Sequence, residues 1–487
     1  MYRKVSTDVK RERFFVLSIV ACLLLLGCWT APARAASDDV LDIPMAKGSA
    51  WGISVRSLDG QGIDFGSNEE KLFLPASVTK LFTTAVALLR LGPGFTYTTN
   101  LYGDGPIENG VLKGNLFVKG SGDPTLCDTF HNGRPTRVFE EWADELLRRG
   151  IRRVAGDIVG DDTLFDGVYR PPGWGVEYSS FHYAPPVSAL SFGGNVVEIT
   201  VSPGENAGSA AMIQVNPQAE YPRVVEKVIT SGPGKKGSVT VSKTSEGLIR
   251  VSGRIASGAV PHRVRVTVED PPLFTAAVMK RVFEGKGIQI GGKPLAGSPK
   301  KVEYGAMSLL ASYTSPPLSD IIFFVNKRSD NLSAELIFRT LGTIDGGTGS
   351  LAESSDVVRK TLTDRGIESS SLSIRDGSGL SRLNLASPSQ VVGLLAYMRS
   401  HETFPYFYNS LSIASVDGTL RNRMKKTAAE GRVHAKTGYL ANVVTLGGYV
   451  EGRRGGLVAF SIMTNNYQGP PSGVKGLHDY VCEKLAE

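Results

Sequence analysis

Ser77-Val78-Thr79-Lys80 sets a hydroxyl and an amine three residues apart. At the start of a helix, that spacing projects both side chains from one face, within hydrogen-bond reach of each other. A serine is a weak nucleophile until a neighbouring base takes its proton, and a desolvated lysine can be neutral enough to do so. The same helix start leaves backbone N–H groups free, including that of Ser77, where an oxyanion could form. Spacing alone is a weak signal, because a chain of this length holds roughly two or three Ser-x-x-Lys matches by composition. Ser298 to Lys301 and Ser472 to Lys475 are two more. Only Ser77 leads an extended apolar helix pattern, with Val78, Leu81, Phe82, Ala85, Val86 and Leu89 at helical spacing until Gly92-Pro93 stops it.

Two further triplets follow, Ser329-Asp330-Asn331 and Lys436-Thr437-Gly438. The three appear in the order used by serine β-lactamases and penicillin-binding proteins. Lys243-Thr244-Ser245 is a near-decoy of the third, but only Lys436 sits just before a strand hairpin and a terminal helix. Neighbouring text narrows the likeness: Leu74-Pro75-Ala76 before Ser77, Gly120-Ser121-Gly122-Asp123-Pro124-Thr125-Leu126, Leu332 after Asn331, Asp376-Gly377-Ser378-Gly379-Leu380-Ser381 and Asp417-Gly418-Thr419-Leu420. Together these segments resemble the class C low-molecular-mass penicillin-binding proteins, which act as D-Ala-D-Ala carboxypeptidases and endopeptidases. The stretch of about 250 residues between Lys80 and Ser329 is similar to the inserted domains of that branch and disfavours a compact β-lactamase.

The resemblance implies a set of roles. Lys80 would be the acylation base for Ser77, while Ser329, Asn331 and Lys436 would relay a proton to the leaving D-alanine and hold the peptide amide. Thr437 and Lys436 would bind the terminal carboxylate, with Gly438 beside them, and the N–H of Tyr439 would complete the oxyanion site with that of Ser77. Asp161 is similar to an inserted-domain aspartate that contacts the amine of a diaminopimelate side chain; Asp162 competes for that assignment, and a solvated turn is the plain alternative. The implied partners are peptidoglycan peptides, with β-lactams as covalent inhibitors and no cofactor. A wall-binding or β-lactam-sensing protein of the same fold is the rival reading, but it would have little reason to keep all these side chains. A β-lactamase would need a deacylation base, and the chain has no Glu-x-x-Leu-Asn to supply a class A-type glutamate.

The helix and strand patterns around these residues fit an α/β fold, and the resemblance implies a serine β-lactamase or transpeptidase-like domain with a large β-rich insertion of one or two domains. A strand over Trp51 to Leu58 opens it. Helices over Ser333–Leu341, Leu351–Arg365 and Pro388–Ser400, then strands over Val443–Val450 and Leu457–Asn465 and a helix over Val474–Leu485, close it. The catalytic domain is expected from 36–97 and 305–487, and the insertion over 98–304. Within the insertion, short β-rich runs such as Val239–Val241 and Val264–Val268 dominate, and one helix is expected over Val138–Arg149.

Basic residues from Arg3 to Arg13, an apolar run from Phe14 to Leu26 and Ala33-Arg34-Ala35 read as an export signal over 1–35, cleaved to leave Ala36 first. The apolar run is shorter than the ~20 residues that span a bilayer, which disfavours an uncleaved anchor. Leu25-Leu26-Gly27-Cys28 offers a lipoprotein alternative acylated at Cys28, but the Ala-Arg-Ala site is preferred. The expected location is therefore the periplasm, with peripheral membrane association left open. Removing the signal takes six of 54 basic and two of 47 acidic residues, so the formal charge falls from +7 to about +3. That small excess, without basic runs interleaved with aromatics, gives no argument for nucleic acid. No Cys-x-x-Cys or His-Glu-x-x-His spacing points to a metal, and Cys127 and Cys482 are too far apart in sequence to be paired from sequence alone.

Overall fold

Six antiparallel strands in the order Ser412–Ile413, Val433–Leu440, Val443–Glu451, Leu457–Asn465, Ala50–Ser57 and Phe65–Ser67 join the two ends of the chain in one sheet. The structure, a computed structural model, describes residues 48–60, 64–244, 246–297, 302–453 and 455–487. The expected export signal, with Cys28 and the cleavage site at Ala35, lies outside those residues, as do Ser298 and Lys301. Ile53 stands opposite Ile462 and Val55 opposite Phe460, so the sheet closes through contacts of very long sequence separation.

The two strands of the C-terminal hairpin are buried almost end to end because both faces of the sheet are covered. Alternation assigns the faces. Leu446, Val450, Phe460 and Ile462 pack on Cys482 and Ala486 of the terminal helix Pro471–Ala486. Tyr449, Ala459 and Met463 face the other way, into a larger core with Leu81, Phe82 and Ala85 of the helix Thr79–Leu91, Ile337 and Phe338 of Asn331–Leu341, and Val391 and Leu394 of Pro388–Ser400. Every residue from Thr79 to Leu88 is buried, as befits a helix covered on all sides.

Between these ends lies material that is β-rich as expected. A five-stranded sheet orders Pro294–Ala296, Ile158–Asp161, Leu116–Lys119, Thr98–Gly103 and Ser308–Thr314, so a strand beyond residue 304 pairs back onto Thr98–Gly103. Two three-stranded sheets occupy 196–267, including Ser238–Lys243 and His262–Thr267. The expected helix forms over Arg137–Arg148. A second one, Pro271–Gly285, corrects the expectation of a single helix. Its Pro271-Pro272 reads as loop, yet proline is well suited to the first helical turn, and the Asp270 side chain caps Leu273 N at 3.0 Å.

Cys127 and Cys482 are both free thiols, Cys482 within the sheet-helix core and Cys127 beside Pro124 O. Among the described residues no helix is long and apolar enough to cross a membrane.

Candidate active site

Ser77 sits in a 3-10 turn, Ala76–Val78, that leads into the helix carrying Lys80. Ala76 has φ +47°, a left-handed conformation that a non-glycine residue adopts at a cost of roughly 1–3 kcal/mol. Glycine makes room for this turn on two sides. A Cβ on Gly379 (φ +83°) would stand 1.9 Å from Ala76 O, and one on Gly438 would stand 2.0 Å from Thr445 Oγ1 and 2.8 Å from Pro75 O. Gly438 therefore lets the strand Val433–Leu440 lie directly against the turn that holds Ser77.

Lys80 is fully buried, and its Nζ donates to Ser77 Oγ at 3.0 Å, Asn331 Oδ1 at 2.7 Å and Ser378 O at 2.6 Å. Asn331 opens its helix behind the cap Asp330, whose side chain accepts from Ser333 N at 2.8 Å. Ser329 ends the preceding helix, Leu318–Arg328, in the left-handed region at φ +57°. That turn points Ser329 Oγ at Lys436, whose Nζ donates to it at 2.8 Å and to Thr437 O at 2.9 Å. Thr437 Oγ1 donates to Thr419 Oγ1 at 2.9 Å, in a loop braced by the Lys327–Asp417 ion pair of 2.6 Å. The three motifs thus converge, with Ser77, Ser329, Asn331 and Thr437 half-buried and both lysines inside.

Burial governs the charges. It brings the Lys80 ammonium down to about 8, against the opposing pull of Asp376, Glu335 and Asp330. Lys436, buried and repelled by Lys80, is held well below the ordinary lysine range. The Lys436 side chain is fully covered, with its Nζ turned to Ser329 Oγ and Thr437 O.

Tyr439 follows Gly438 and is 54% exposed, and Lys475, from the third Ser-x-x-Lys match, lies over its ring at 4.9 Å. Asp161 is not brought to this cluster. It is buried on the insert's sheet, accepting from Thr163 N at 2.9 Å and from the Tyr304 hydroxyl. Asp162 is engaged by Tyr169 and Ser188, each at 2.8 Å. The near-decoy Lys243 lies at the end of Ser238–Lys243, where its Nζ meets Ser179 O at 2.8 Å and Glu269 at 2.5 Å.

Several side chains at the site carry no motif signal of their own. Asn331 Nδ2 donates to Tyr183 O at 2.7 Å and Trp174 Nε1 to Asp376 Oδ2 at 2.8 Å, so a segment between the insert's strands forms a wall beside the site. The fully buried Asp376 carboxylate also accepts from Gly379 N, Ser381 N and Asn384 Nδ2 at 2.6–2.8 Å. It builds the Asp-Gly-Ser-Gly turn as scaffolding, and that turn presents Ser378 O to Lys80. Among the described residues no group of three His, Cys, Asp or Glu side chains could hold a metal.

Known proteins are similar to this chain over most of its length. A family model described as the D-Ala-D-Ala carboxypeptidase 3 (S13) family matches residues 33–478. A D-alanyl-D-alanine carboxypeptidase of an Actinomadura strain is 32% identical over 466 residues, 92% of this chain and 84% of that one. The D-alanyl-D-alanine carboxypeptidase DacB of Haemophilus influenzae is 29% identical, over 87% of each chain. The crystal structure of penicillin-binding protein 4 from H. influenzae superposes with a TM-score of 0.80 at 27% identity, covering 91% of this chain and all of that one. The same protein complexed with a β-lactam gives 0.76 at 27% identity, over 93% and 99%. The α/β fold with its β-rich insertion is shared with those structures, and the chain belongs to the D-Ala-D-Ala carboxypeptidase 3 (S13) family.

Proposed function

We propose that this chain is an exported serine peptidase that removes D-alanine from D-Ala-D-Ala stem peptides of peptidoglycan through an acyl-enzyme on Ser77, and that β-lactams block it by acylating the same oxygen. The observation that carries the reading is the 3.0 Å contact of a buried, desolvated Lys80 with Ser77 Oγ. Lys80 takes the Ser77 proton as Oγ attacks the carbonyl carbon of the penultimate D-alanine. The developing oxyanion is met by the N–H groups of Ser77 and Tyr439. Lys436 through Ser329 delivers a proton to the leaving amine, and Thr437 with Lys436 holds the terminal carboxylate. Asn331 holds the peptide amide, and water then cleaves the ester. Asp161 would meet the amine of a diaminopimelate side chain, with Thr163 N and the Tyr304 hydroxyl holding its carboxylate in place.

The proposal extends to architecture and location. The catalytic body is built from 36–97 and the chain beyond the insert, with the signal cleaved after Ala35. Support for β-lactam sensitivity comes from the H. influenzae relative solved with a bound β-lactam. Endopeptidase action would use the same acyl-enzyme with a cross-linked D-alanine as the donor. Muropeptides ending in D-Ala-D-Ala and cross-linked muropeptides, incubated separately and weighed by mass spectrometry, test the reading. Loss of one D-alanine supports it, cleaved cross-links add endopeptidase action, and two unchanged substrates contradict it.

A further inference from the structure

A neutral amine has two N–H bonds and one lone pair, so a lysine that takes a proton from Ser77 must place both N–H bonds elsewhere. Lys80 has two such acceptors, Asn331 Oδ1 at 2.7 Å and Ser378 O at 2.6 Å, and with both engaged its lone pair is left toward Ser77 Oγ. Asn331 belongs to a helix, which holds it. Ser378 O belongs to the 378–379 peptide, whose N–H is held by Asp376 at 2.8 Å, and its direction depends as well on what fixes the 376–377 and 377–378 peptides that lead into it.

Glu335 fixes them. It lies one helical turn after Asn331 on the same helix and is fully buried. Its Oε1 accepts from Ser378 N at 2.7 Å and its Oε2 from Gly377 N at 3.1 Å. Gly377 comes this close to the helix because it has no side chain: a Cβ would stand 2.4 Å from Phe338 Cβ and 2.6 Å from Ala334 O. On the other side of the turn, Asp376 holds Gly379 N at 2.8 Å and Ser381 N at 2.6 Å. Two buried carboxyls therefore grip the loop from both ends around the one carbonyl that meets Lys80.

We propose that Glu335 is a positioning residue for acylation: by holding the Gly377 and Ser378 N–H groups it aims the Ser378 carbonyl at one Lys80 N–H, and so aims the Lys80 lone pair at Ser77. This rests on the Ser77 acyl-enzyme reading. The charged groups that face Lys80 are Asp376 of the turn, Glu335 and Asp330 of the helix and its cap, and Lys436 of the strand. Glu335 is among those that favour the Lys80 ammonium, while burial and Asp376 raise its own carboxyl to about 8, so it carries that charge only over the range in which Lys80 itself loses its proton.

The test compares Glu335→Gln and Glu335→Asp with the wild type, measuring penicillin acylation per folded enzyme across pH. Gln turns an N–H₂ toward a backbone N–H, and Asp is one methylene short of the turn. Both should acylate at least about tenfold more slowly, with non-covalent binding before acylation changed less than about twofold. In Gln the acid limb of the rate should also move to lower pH, because an acid that ionises beside Lys80 is gone, whereas in Asp, which can still ionise there, the limb should stay in place. Either variant acylating at the wild-type rate per folded molecule overturns the proposal. So does a Gln acid limb that coincides with the wild type, the result of a merely structural role. Wild-type protein that fails to acylate at Ser77 would instead overturn the function on which this proposal rests.

Discussion

Lys80 must be neutral to take the Ser77 proton, and the balance that sets its charge is visible in the structure. Burial brings its ammonium from 10.5 down to about 8, while three carboxyl groups, Asp376, Glu335 and Asp330, resist that fall. The acylation rate should follow the neutral fraction, reaching half its plateau near pH 8 and dropping about tenfold for each pH unit below that. At pH 6 it should stand near about 1% of the plateau. Lys436 is also held low, but its Nζ is on Ser329 Oγ and Thr437 O, so it cannot stand in as base at Ser77. Lys80→Ala removes the base and should slow acylation by about 10²–10⁴-fold. Lys80→Arg keeps a cation that cannot deprotonate, and should be about as slow. The assay is the second-order rate of labelling by a fluorescent penicillin from about pH 5.5 to about pH 9.5, normalised to folded protein. A profile flat across that range, or Lys80→Arg labelling at the wild-type rate, would refute the reasoning.

Gly438→Ala drives a Cβ to 2.0 Å from Thr445 Oγ1 and 2.8 Å from Pro75 O, so it should lower stability by about 1–3 kcal/mol and slow acylation by moving the nucleophile turn; thermal melting and penicillin labelling read the two effects. Lys243→Ala removes a buried cation that ties Ser179 O to Glu269, while Arg170 remains on Glu269 at 3.1 Å. It should cost about 1–3 kcal/mol in urea unfolding yet leave one penicillin adduct per molecule, whereas Lys436→Ala should slow acylation at least about tenfold. His478, fully buried against Thr464 at 2.9 Å, has its imidazolium pushed down from 6.5 to about 3. Below pH 6.5 the unfolded chain binds a proton that the folded chain refuses, so stability should fall by about 1.4 kcal/mol per pH unit toward pH 3. His478→Asn should flatten that slope in urea midpoints measured against pH.

The parts that sequence reading recovers are those whose information is local. The apolar period from Val78 to Leu89 marks the nucleophile helix, and the strands after Lys436 are marked by apolar-rich runs on either side of a Gly-rich turn. Ser77, Lys80, Ser329, Asn331 and Lys436 stand out through residue type at fixed spacing, and the structure brings them together. What sequence reading misses depends on distant pairing. The Glu335 carboxyl reads as one more charge in a helix until Gly377 and Ser378 are folded against it, across more than forty residues of chain. The wall made by Trp174 and Tyr183 carries no periodic signal, since it is a loop fixed by contacts to Asp376 and Asn331. Asp161 is singled out by its type and setting, but its partner Tyr304 lies 143 residues away and carries no local signal. The helix Pro271–Gly285 is masked by the two prolines that begin it.

Intact-mass analysis after incubation with benzylpenicillin asks whether Ser77 forms the acyl-enzyme. One adduct of the drug's mass should form, map by peptide digestion to the segment holding Ser77, and be absent in Ser77→Ala under the same conditions. An adduct of unchanged extent in Ser77→Ala, or one mapping to Ser329 or Ser472, would contradict the account.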